Sequence, residues 1–149
     1  MRAVVQRVQE ARIRVDGEVI AAMGEGLLAL VGVASGDTTD DAAALAEKLV
    51  GLRVLEDAEG RMNRSLLDTG GTLGVVSQFT LLADARKGRR PSFAAAAPAG
   101  EAAPLVAEVV NRARAHGVPV VTGVFGARME LALVNAGPVT VMLDTQGLF

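Results

Sequence analysis

The first fifteen residues, MRAVVQRVQEARIRV, alternate apolar and polar side chains, and Asp16-Gly17 follows at once. Ala3, Val5, Ala11, Ile13 and Val15 share one face, which is the period of a strand with one buried side. Asp-Gly after such a segment is a strong signal for a two-residue hairpin turn, whose central positions both need positive φ. The chain therefore opens on a long strand that folds back on itself, with a second strand predicted from Glu18 to about Ala22. Gly24-Glu25-Gly26 turns the chain again. Leu27 to Val33 is an unbroken apolar run, which reads as a central strand buried on both faces.

Helical period comes next. Asp37, Thr38 and Thr39 offer caps, Asp40 and Asp41 suit a first turn, and Ala42, Leu45, Ala46 and Leu49 form one stripe, predicting a helix over about 39–51. A short strand is expected over 53–56 and a longer one from Thr72 to Leu82. A second helix falls within 99–116, where Pro104 fits only its first turn and Gly117 and Pro119 end it. Val118 to Val121, Met129 to Val134 and Val139 to Leu143 complete the strands, the last two joined by a short turn at 135–138. The expectation is one α+β domain over residues 1–149: mostly antiparallel, barrel-like sheet with two main helices.

Composition removes several chemistries. The chain has no cysteine and one histidine, His116. It therefore has no thiolate nucleophile, no cysteine-ligated zinc or iron–sulfur cluster and no multi-histidine metal site. No Ser–His–Asp arrangement, P-loop or dinucleotide fingerprint is present. No apolar run reaches the ~20 residues of a membrane span, and the alternating N-terminal segment does not read as a signal peptide. With 3% aromatic residues, no Trp and no Tyr, the core must be aliphatic.

Polar residues in the wrong places mark candidate sites. Ser77-Gln78-Phe79-Thr80 ends a buried strand, where the residues either fray into solvent or present backbone N–H groups able to hold a developing oxyanion. Gly137-Pro138 is either a plain hairpin turn or a cis pair that aims carbonyls where a trans peptide cannot. Arg7 falls on the apolar face beside Val5, so it is capped by carbonyls or paired, or a bulge turns it and Gln9 outward. Arg86, Lys87, Arg89 and Arg90 make a basic loop, solvated or suited to phosphates. His116 reads as a helix-end residue.

MRAVVQRV, VVSQFTLLAD, RKGRRPSF, TGVFGA and NAGPVTVMLD together resemble the D-aminoacyl-tRNA deacylases, from Met1 to about Asp144. The resemblance implies a cytoplasmic homodimer that hydrolyses the ester between a D-amino acid, or mis-attached glycine, and the terminal ribose of tRNA. It implies no cofactor, no metal, no membrane and no DNA. It places Gly137 and Pro138 across the interface, where their carbonyls hold the substrate's amino group and exclude an L side chain. It maps the backbone oxyanion site to Ser77, Gln78, Phe79, Thr80 and Leu81. Arg7 would brace the Gly-Pro loop, and Phe125 and Met129 would contact the terminal adenosine. Leu82 stands where many relatives carry an aromatic residue, and Ala136 where a polar one is common. The missing catalytic base fits such a substrate: an aminoacyl ester is already activated and has a vicinal hydroxyl, so positioning and oxyanion stabilisation serve. Two competing readings are a non-catalytic tRNA-binding module and a small-molecule esterase using Thr80 or Ser77.

Overall fold

The opening strand is the hub of the sheet. In the computed structural model, which describes residues 1–149, β1 (Arg2–Val15) turns at Asp16-Gly17, both at positive φ, into β2 (Glu18–Met23). β3 (Gly26–Gly32) follows, then α1 (Thr39–Gly51), β4 (Leu55–Glu56), β5 (Met62–Arg64) and a single turn of helix, α2 (Leu66–Thr69). β6 (Thr72–Ser77) runs into a 3-10 turn at Phe79–Leu82. α3 (Ala99–Ala115), β7 (Val120–Thr122) and β8 (Met129–Asp144) complete the chain. β5 and α2 are too short to leave a periodic signal, and the sequence reading missed both.

β3 takes the first half of one edge of β1 and β2 the second half, while β8 runs along the opposite edge; all three pairings are antiparallel. β6 joins β3, and β7 joins β6, in parallel, because a helical crossover precedes each. β2 returns against β7, so the sheet nearly closes into a barrel. β8 has β1 as its only strand partner, which leaves its outer edge open.

Two apolar clusters fill the fold. The larger lies between the sheet and the two long helices, and brings Val5, Leu27, Ala29, Val31, Leu73 and Val75 against Leu45, Leu49 and Val109. The smaller packs Val8, Ile13, Met23, Leu28 and Val76 on the sheet's other side. β3 contributes to both, which is why Leu27 to Val31 reads as an unbroken apolar run.

Three expectations are corrected. The strand from Thr72 stops at Ser77, five residues before the expected end at Leu82: Gln78 N–H makes the last rung to Val31 O at 2.7 Å, and its carbonyl then accepts from Leu81 N–H at 3.2 Å as the chain coils. Pro104 lies well inside α3, past its first turn. Its missing N–H leaves the carbonyl four residues back, at exposed Gly100, to water. Residues 135–138 are no hairpin turn, because the chain keeps its direction through them and β8 is one strand. Gln6 faces Thr140 and Val8 faces Asn135, so Arg7 alone stands against four residues of β8, and 136–139 bulge out opposite it.

Candidate active site

The bulge is the more tightly specified of two polar features. Gly137-Pro138 is a cis peptide. Asn135 holds the loop at its base, since its Oδ1 accepts from Val139 N at 2.7 Å and its Nδ2 donates to Val139 O at 3.1 Å. The side chain thereby replaces the strand partner that the bulge removes. Arg7 holds it from the other side: Nε donates to Ala136 O at 2.7 Å, Nη1 to Val54 O at 2.9 Å and Nη2 to Glu56 at 3.3 Å. Both readings of Arg7 thus meet. The register slips there, Val8 takes the buried position and Gln9 turns to solvent, yet Arg7 stays inside with carbonyl caps. Gly137 leaves no room for a side chain: at φ +152°, a Cβ would sit 2.6 Å from Val139 N and 2.7 Å from Val139 Cγ2.

The second feature is the end of β6. The first N–H groups of a short helical turn have no acceptor within it, and here they belong to Phe79 and Thr80. The turn fits closely over β3 because residue 32 is glycine; a Cβ there would lie 2.6 Å from Leu82 Cδ2 and 2.9 Å from Gln78 O. Arg2 Nη1 donates to Leu81 O at 3.1 Å and anchors the turn to β1. Beside it opens a cavity of about 380 Å³ lined mainly by aliphatic side chains from β3, β6, α3 and β8.

Ser77, Gln78 and Phe79 border this cavity together with Phe125 and Met129, so the structure brings five of the expected residues to one place. Thr80 is exposed on the turn and does not border it; its hydroxyl accepts from the Gln78 amide. Neither Ser77 nor Thr80 has a histidine to take its proton, since His116 is the exposed residue closing α3. Arg7 and Gly137 line a different, polar cavity between the bulge, Gly24–Gly26 and Gly70–Thr72. Within one chain, the Gly-Pro bulge and the Ser77–Thr80 turn do not share a cavity.

The basic loop is a small hairpin closed by Asp84 and Ser92. Arg86 is folded back on Asp84 through bonds of 2.9 and 2.7 Å, which hold the Asp84 carboxyl well below the usual carboxylate range. Lys87, Arg89 and Arg90 stand exposed. Phe93, just beyond them, meets Phe79 edge-on with ring centroids 5.1 Å apart. Sequence reasoning missed Asn135, Gly32 and the Val54–Glu56 cap. Asn135 left one signal, an Asn two residues before a Gly-Pro pair.

The arrangement is that of a small α+β domain with an apolar cavity beside a strand-end turn, and no nucleophile–base pair for covalent catalysis. The family model described as D-Tyr-tRNA(Tyr) deacylase matches residues 4–144, and the chain belongs to that family. A D-aminoacyl-tRNA deacylase of Thermomicrobium roseum is 58% identical over 148 residues, covering 99% of this chain and 96% of the relative. One of Thermus aquaticus is 56% identical over 146 residues, covering 97% and 95%. The solved structure of the c-Myc DNA Unwinding Element Binding Protein is 36% identical with a TM-score of 0.91, over 97% of this chain and 98% of that one. A probable eukaryotic D-amino acid tRNA deacylase, 20% identical, shares the fold with a TM-score of 0.83 over 96% and 98%.

Proposed function

We propose that this chain hydrolyses the ester between a D-amino acid and the terminal ribose of tRNA, and likewise that of mis-attached glycine, acting in the cytoplasm as a homodimer. The observation that carries the reading is the Asn135–Val139 bulge: a backbone-built element, held rigid by Arg7 and Asn135, that lies apart from the cavity beside Ser77–Phe79 in the same chain. A second copy would bring bulge and cavity together. The open edge of β8, with Val134 and Met142 exposed on it, suits such an association.

In this mechanism the carbonyls of the partner subunit's Gly-Pro pair receive the substrate's α-amino group. An L side chain would then point into backbone, whereas a D side chain or hydrogen points away. The N–H groups of Phe79 and Thr80 stabilise the oxyanion formed on the ester carbonyl. Phe125 and Met129 pack on the terminal adenosine. The vicinal ribose hydroxyl assists attack by water, so no side-chain nucleophile is needed. Because the pocket reads the substrate with backbone groups, it selects chirality over side-chain identity.

Incubation with D-tyrosyl-tRNA, L-tyrosyl-tRNA and a free D-amino-acid ester tests the reading. Rapid loss of the first alone is expected. Turnover of none would leave a binding module, and turnover of the free ester with dependence on Thr80 or Ser77 would leave an esterase.

A further inference from the structure

A second, smaller cavity adjoins the one just described. It continues along α3 towards the helix C-terminus and shares Ser77, Val106 and Phe125 with its larger neighbour. Its volume is about 240 Å³. Pockets for drug-sized ligands run to ~300–1,000 Å³, so this one suits a fragment.

Its polar lining is unlike a structural void. Asn111 and Arg114 lie one turn apart on α3 and face Thr122 of β7 across the cavity. All three offer donors, and no carboxylate borders the space. Arg114, which lines the cavity, commits one N–H to Val120 O at 3.3 Å. A guanidinium has five donors, so most of its capacity is left for a ligand. Arg112, on the same helix, is instead engaged by Glu108 at 2.6 Å. A cationic donor beside neutral groups that can also donate, with no carboxylate among them, favours an anion rich in oxygen acceptors.

We infer that this cavity binds the phosphodiester, with its ribose, that joins the terminal adenosine to the preceding nucleotide of the tRNA. The inference rests on the reading that the larger cavity holds an aminoacyl-adenosine end. An adenosine seated against Phe125 is one phosphodiester away from the rest of the RNA, and that phosphate must leave past the rim. The rim at Phe125 opens onto Asn111, Arg114 and Thr122. Arg114 is then a binding residue for the RNA backbone and takes no part in the chemistry.

The test compares D-tyrosyl-tRNA with the D-tyrosyl ester of adenosine, which has the same reacting end and no phosphate. For the parent protein, Arg114→Ala and Arg114→Lys, the readout is the ratio of the two kcat/KM values. Misfolded protein cancels in this ratio. Arg114→Ala is expected to lower the preference for the tRNA ester by about tenfold through KM, the order of one charge-assisted hydrogen bond. The slope of log KM against log salt should shrink by about 0.7, the value per phosphate contact on a single strand. Arg114→Lys should recover most of the preference. An unchanged ratio in Arg114→Ala, including an equal loss on both substrates, would overturn the inference while leaving the deacylase reading intact. A parent protein inactive on both substrates would instead refute the deacylase reading.

Discussion

Replacing Gly137 by alanine tests the bulge directly. The added methyl would meet Val139 N at 2.6 Å and Val139 Cγ2 at 2.7 Å, at a φ of +152° that residues with a Cβ rarely adopt. The valine side chain can rotate away, but the Val139 nitrogen is backbone and is bonded to Asn135 Oδ1 at 2.7 Å. The loop itself must therefore move by several tenths of an ångström or more. The stability cost is bounded, because 136–139 bulge out from the sheet and Gly137 and Pro138 are exposed. Overpacking of this kind costs ~1–3 kcal/mol, and relaxation into solvent places the variant near the lower end. Catalysis has no such relief: a displacement approaching 1 Å costs on the order of a hundredfold in rate. The expected result is a variant that unfolds at slightly lower denaturant concentration but loses about a hundredfold in kcat/KM on D-tyrosyl-tRNA, or gains activity on the L-ester. Urea unfolding and the two kinetic assays on one preparation measure both. Full activity with the L-ester still spared would refute the role given to the bulge.

Thr80→Ala and Ser77→Ala should each retain substantial activity, since loss of a true nucleophile costs several orders of magnitude; a tRNA ending in 2′-deoxyadenosine should be hydrolysed far more slowly than the normal one in single-turnover assays. Charge reversal at Arg89 and Arg90 should raise KM for charged tRNA and flatten its salt dependence, because fewer counterions are released; a salt titration of KM checks this. Asp41 receives hydrogen bonds from Thr145 at 2.7 Å and from Thr38 N–H at 2.9 Å, which lower its pKa. A carboxylate with a lowered folded-state pKa stabilises above its unfolded value, ~3.9 for aspartate. Asp41→Asn should therefore cost about 1 kcal/mol near neutral pH, with the difference from the parent vanishing as pH falls through the lowered folded-state pKa in acid denaturation curves.

The amino-acid sequence by itself determined most of the elements. Alternation gave β1, Asp16-Gly17 its turn, an unbroken apolar run β3, and the stripe from Ala42 to Leu49 the first helix, because each is a local pattern with its own period. It also located Ser77–Thr80, Gly137-Pro138 and Arg7 as misfits, since a polar group in an apolar register needs a partner wherever the chain goes. Tertiary structure decided what those misfits do. Val139 to Leu143 look like the return arm of a hairpin, yet β1 is long enough to pair with both halves, so the chain continues straight and the intervening residues bulge. Arg7 finds its carbonyls on Ala136 and Val54, residues distant in sequence, which no local period can encode. Phe125 reaches the cavity beside Ser77 because β7, just before it, pairs with β6, a strand distant in sequence, and Met129 follows at the start of β8. Separations of this kind depend on how strands order and register, and that is set by the summed packing of the two cores, not by any one segment.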